Sequence, residues 1–169
     1  MTLEKEKERS MITAVYPCCV AWNRNAARHT FVLPAEKGGA KSIATLLQEG
    51  EYSYTGIITT DEALNRLDDA LEVHLVCFGR TMMNDDDVVA GLCQLGLHPI
   101  TLVGLLRLGK AYPTAQLQGP IVALDRCYRS KYGTIPYLCG DKNVGTRNVS
   151  KNIFPGAWYH DYRFAGIPF

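Results

Sequence analysis

Apolar and polar positions along the first two thirds of the chain switch between strand-like runs and helix-like spacing. Met11 to Trp22 and Arg28 to Leu33, rich in Val, Ile, Thr and aromatics, read as strands around a turn at Asn23-Arg24-Asn25. Pro34 to Lys41 reads as a loop, Ser42 to Gln48 as a short helix, and Tyr52 to Ile58 as a strand. Thr59-Thr60-Asp61-Glu62 has the form of a capping box, and Ala63, Leu64, Leu67 and Leu71 continue at helical spacing. Glu72 to Phe78 is the next strand. Asn84 can cap a helix through Leu95, with Asp85, Asp86 and Asp87 at its positive end and Gly96 as its stop.

A further helix is expected from near Pro99 to Leu108, with Pro113 forbidding continuation. It is apolar almost all round, so it belongs in the core. Residues 99–112 should lie beneath a sheet that includes 121–125 and 163–167. Pro120 to Leu124 reads as a buried strand. Beyond it the pattern loosens into short strand fragments between Gly, Asn and Asp. The fold class expected is therefore α+β, a polar lead over residues 1–10 followed by one domain over 11–169, with a loop-rich, irregular β C-terminal half.

Composition changes this picture little. The chain has 169 residues, 47% of them hydrophobic and 21% charged, which suits one domain with a real core. Its formal net charge of +1 gives no electrostatic reason to expect nucleic acid as a partner. No apolar run reaches the roughly 18 residues of a spanning helix, so no membrane insertion is expected. Met1 to Arg9 is too charged for a signal peptide, which makes the cytoplasm the default location. Display on a virion or cell surface stays open.

Candidate chemistry is sparse. Cys18, Cys19, Cys77, Cys93, Cys127 and Cys139 form no C-x-x-C pair, so no structural zinc is expected. Cys77 and Cys93 read as buried free thiols. Calcium stays open, because its oxygen ligands can come from loops. Glu36 to Ser42 departs from a phosphate loop, since Ala40 separates the glycines from Lys41. Asp85 to Asp87 reads as helix capping. Cys18 or Cys19 with His29 lacks a third catalytic group, so no catalytic site, no cofactor and no enzyme activity is expected.

The tail carries the unusual signal. From Thr134 to Phe169 there is no Glu, Gln or Met, although the preceding 133 residues hold sixteen of them. Adenine-containing codons that end in a pyrimidine, randomised at their adenines, never encode Glu, Gln, Met, Lys or Trp. Of those types only Lys142, Lys151 and Trp158 occur in the tail, and these would be fixed positions.

With this bias, the tail resembles the variable region of diversity-generating retroelement target proteins, which adopt a C-type-lectin fold. The likeness covers about 70 residues. It runs through Ile100 to Leu106, Ile121 to Arg126, Ile135-Pro136-Tyr137-Leu138, Trp158 and Tyr162-Arg163-Phe164-Ala165-Gly166. It departs from the family pattern at Gly140, where a tryptophan is expected.

The resemblance implies a protein that binds a ligand, an unidentified protein or glycan, through a diversified surface within residues 134–162. The surface positions would be Tyr137, Cys139, Asp141, Asn143, Asn148, Ser150, Asn152, Phe154, Tyr159, His160 and Asp161. Trp158, Arg163, Phe164 and Ala165 would be the scaffold beneath them. Two alternatives remain at this level: a small phage or host-interaction protein of another fold, such as a defence inhibitor, and an oxidase of the formylglycine-generating type. Oligomeric state is not readable.

Overall fold

The structure, a computed structural model, describes residues 26–34, 41–56, 72–125, 134–153 and 157–169. The expected strand at Met11 to Trp22, the capping box and helix after Thr59, most of the 34–41 loop, Cys18, Cys19, Cys127 and Phe154 lie outside them. Within them the chain is α+β. The strands are β1 (Ala27–Val32), β2 (Glu72–Cys77), β3 (Leu97–Pro99), β4 (Ile121–Val122), β5 (Thr134–Asp141), β6 (Thr146–Ile153) and β7 (Arg163–Pro168). The helices are α1 (Ile43–Glu49), α2 (Asp85–Gln94) and α3 (Leu102–Ala111), with a 3₁₀ turn at Ala115–Gln118.

The strands form one mixed sheet in the order β1-β2-β7-β4-β5-β6, with β3 also paired to β7. The closing strand β7 is thus central. β2 runs antiparallel along one edge of it; β4, parallel, and then β3, antiparallel, share the other. Both sheet faces are covered, which explains why β2 is a continuous apolar run rather than an alternating one. Val73 and Leu75 enter a core with α1 and α3, while Val76 enters a second core with α2. Phe164 and Ala165 divide between the same two cores.

Helix α2 is set by local chemistry. Asn84 Oδ1 accepts the Asp87 N–H at 2.7 Å, and three carboxylates occupy the first turn. Helix α3 is buried from Leu102 through Gly109, as its composition requires. It begins at Leu102 and not near Pro99. Thr101 Oγ1 caps it at Gly104 N, and Asp125 Oδ2 accepts the Leu102 N–H at 2.9 Å. Leu97 to Pro99 is drawn into β3 because β7 extends past β4 and leaves an edge that needs pairing. The Ile100 N–H then continues that edge to Ala165 O at 3.0 Å.

Three other expectations are corrected. The strand expected over 52–58 reduces, among the described residues, to one bridge between Tyr54 and Asn148. Positive φ at Glu51 and Gly56 turns the chain so that only Ser53 and Tyr54 follow β6. Cys77 and Cys93 are free but half-buried: Cys77 is the last residue of β2 and Cys93 lies in the last turn of α2. The C-terminal half is not irregular: β5 and β6 pair over eight residues each.

The Arg147 guanidinium stands 5.0 Å over the Tyr52 ring, and the Tyr52 hydroxyl donates to Leu106 O at 3.3 Å. Burial pushes the Tyr52 phenol up to about 12, with the Arg147 charge opposing the shift. A phenol whose folded pKa exceeds its unfolded value stabilises the fold fully below the unfolded value, and loses that contribution as pH rises to the folded one. Stability in urea should therefore decline between about pH 10 and about pH 12. Tyr52→Phe should make that decline shallower; an unchanged slope would remove Tyr52 as its source.

Candidate surface site

The β5–β6 hairpin pairs Tyr137 with Ser150, Leu138 with Val149, Cys139 with Asn148, Gly140 with Arg147 and Asp141 with Thr146. Side chains alternate across a sheet, so this register sorts the hairpin into two faces. Leu138 and Val149, both 0% exposed, point into the α3 core. Tyr137, Cys139 and Asp141 of β5 stand opposite Ser150, Asn148 and Thr146 of β6 on the other face. Asn152 pairs with Ile135, which is buried in the α2 core.

The tip is fixed by its own side chain. Asp141 Oδ1 accepts the Asn143 N–H at 2.8 Å, Asp141 O accepts the Gly145 N–H at 2.7 Å, and Gly145 adopts φ +74. Asn143 therefore stands in the turn, beyond the strand ends that carry the row.

The second part of the site is the segment 157–162. Trp158 exchanges backbone hydrogen bonds with Met82 at 2.8 and 2.9 Å, and its indole N–H donates to Asp85 Oδ1 at 2.9 Å. Its ring meets Tyr162 and Phe164 edge-on at 5.3 and 5.6 Å. Asp85 thus does more than favour the start of α2: it holds the indole. Anchored there, the chain turns with Tyr162 N–H donating to Tyr159 O at 3.2 Å, leaving Tyr159, His160 and Asp161 exposed. The His160 carbonyl accepts the Cys77 thiol at 3.1 Å.

Electrostatics ties the two parts together. Burial raises the Tyr162 phenol, and Asp161, Tyr137, Tyr159 and Cys139 raise it further. Those groups come from both the hairpin and the turn, so both contribute to one surface. Burial also raises the Cys139 thiol, against a hydrogen bond from Asn148. A raised thiol is a poor nucleophile at neutral pH. Among the described residues no three His, Cys, Asp or Glu side chains converge to hold a metal ion, and no helix is long and apolar enough to cross a membrane.

Beneath the surface, Trp158, Arg163, Phe164 and Ala165 are buried. Arg163 donates to the Ala115 and Gly119 carbonyls on the opposite side of the sheet. Two contributors escaped the sequence reading. Tyr162 stands beside the closing strand in sequence but belongs to the surface in space. Gln116, fully buried, donates from its amide to Cys139 O at 2.6 Å and Asn148 O at 3.3 Å, holding the backbone of a cross-strand pair whose side chains face outward. A lone Gln before a strand carries no signal of that role.

Gly140 explains its own departure from the expected tryptophan. A Cβ there would lie 2.6 Å from Thr146 O and 2.7 Å from a Leu117 methyl. The Thr146 carbonyl is backbone and cannot yield cheaply. Gly140→Ala should cost about 1–3 kcal/mol in chemical melts. A loss below about 0.5 kcal/mol would mean that the hairpin relaxes freely.

Comparison with known proteins gives no matching family model, no matching curated protein and no matching solved structure.

Proposed function

We propose that this is a ligand-binding protein whose target is chosen by the C-terminal surface, on a C-type-lectin-like scaffold of the kind used by diversity-generating retroelement target proteins. The observation that carries the reading is the division of the distal half of the hairpin. Leu138 and Val149 are locked in the α3 core, while Tyr137, Cys139, Asn148 and Ser150 on the other face are half-buried and Asp141 is exposed. That face is not free throughout, since Ile135 is buried in the α2 core and Tyr137 packs against it. Toward the tip, substitutions should disturb packing less than in either core. The missing Glu, Gln and Met of the tail support the same reading from the coding side. The antiparallel pairing of β2 with the closing strand β7, flanked by helices, agrees with the scaffold proposed. In this reading the protein is not an enzyme; Tyr, Asn and Ser supply contact area and hydrogen bonds at modest entropic cost.

The test is a pair of display libraries. Randomising Tyr137, Cys139, Asn148, Ser150, Tyr159 and His160 should leave most clones folded, as read by protease resistance. Randomising Leu138, Val149, Phe164 and Ala165 should leave few. Equal losses in the two libraries would show that the outward residues are structural, and the reading would fall.

A further inference from the structure

Resting on that reading, we infer that the surface takes a cationic segment of a partner protein, one that presents arginine or lysine side chains. Three phenol rings gather where the hairpin meets the turn: Tyr159 and Tyr162 lie 6.4 Å apart at 37°, and Tyr137 packs with Tyr162 against the α2 core. Ring faces of this kind attract cations. Two exposed carboxylates stand at the same end of the sheet. Asp141 ends β5, and the Asp161 carbonyl packs 3.3 Å from where a Gly119 side chain would begin, next to β4.

The cations of the neighbouring strands are turned away. Arg147 donates to Gly50 O and Gly109 O in the α3 layer, and Arg163 to Ala115 O and Gly119 O. Lys151 alternates with Arg147 along β6 and so shares its face. Lys142 lies in the hairpin tip beside Asp141 in sequence, and His160 in the turn beside Asp161. Burial and then the Asp161 carboxylate, the one charged group at neutral pH among those acting on Tyr162, disfavour its anion. Arginine suits it best, since a planar guanidinium can lie on a phenol ring while forking to a carboxylate. The whole chain carries +1, so a basic peptide gains nothing from its overall charge and must be drawn by this patch.

Labelled hexa-arginine, hexa-lysine and hexa-glutamate peptides, blocked at both ends, are titrated by fluorescence anisotropy against the full chain and against Asp141→Asn/Asp161→Asn and Tyr159→Leu. Both carboxylates and Tyr159 are exposed, so these variants should fold. The arginine peptide should bind best and the glutamate peptide not at all. The double variant should weaken arginine binding about fivefold, and added salt should weaken it further. Equal binding of hexa-arginine by the wild type and the double variant would overturn the inference.

A random peptide library panned on the same proteins separates this from the underlying reading. Binders rich in arginine that fail on both variants support both. Binders without basic residues that still require Tyr159 overturn the cationic ligand and leave the surface reading intact. Binders indifferent to every surface variant overturn both.

Discussion

Trp158→Ala should lower stability by about 3–5 kcal/mol, the usual cost of emptying a buried aromatic site. For a chain of this length that is a fall in Tm of about 10 °C. The ring is 4% exposed and wedged between Tyr162 and Phe164. Removing it leaves a cavity in the α2 core and strips the Asp85 carboxylate of the indole N–H. Trp158→Phe keeps an aromatic ring at the site but loses the bond to a charged acceptor, about 2 kcal/mol, together with part of the ring volume, so its cost should fall between that and the alanine value. Because Trp158 anchors the turn that presents Tyr159 and Asp161, the alanine variant should also lose ligand affinity at temperatures where it is still folded. A Trp158→Ala melt within about 1 kcal/mol of wild type would show that the indole is not a core side chain.

What was legible in the sequence was what short-range chemistry decides. Asn84 with its three following aspartates marks α2 because capping acts within one turn. The apolar run after Thr101 marks α3 because no polar face leaves it an exposed side. Its start was misplaced, since whether Pro99 is strand or helix depends on β7, which is far away in sequence. The hairpin was hidden for a different reason. Pro136 within β5 and Gly140 near its end are both poor strand residues, and local propensity argues against a regular strand there. Their justification is tertiary: the Pro136 carbonyl accepts the Ala123 N–H at 3.1 Å, and Gly140 admits Leu117. The outward set could be named in part because its spacing of two is written in Tyr137, Cys139 and Asp141. Tyr162 could not, because its neighbours on the surface come from a strand paired on the far side of β4.

Leu105→Ala should produce the other large loss, about 2–5 kcal/mol, but with a different signature. Leu105 is 0% exposed in the middle of α3 and shares a core with Ile121, Leu138, Val149 and Ala165. The helix comes close to the sheet there: a Cβ on Gly109 would lie 2.9 Å from a Leu138 methyl. So tight a contact allows little collapse, and a rigid cavity is the costlier kind. Leu105 belongs to the α3 core, while Tyr137 packs on the core at the other face of the sheet. Affinity for an arginine peptide should therefore stay within about twofold of wild type at a temperature where the variant is folded, because no residue of the patch has changed. The double change at Asp141 and Asp161 should do the reverse, weakening the peptide while the melt barely moves. If Leu105→Ala weakens the peptide as much as the aspartate changes do, then the hairpin is not a rigid support. The outward face and the core beneath it would then have to be treated as one coupled unit.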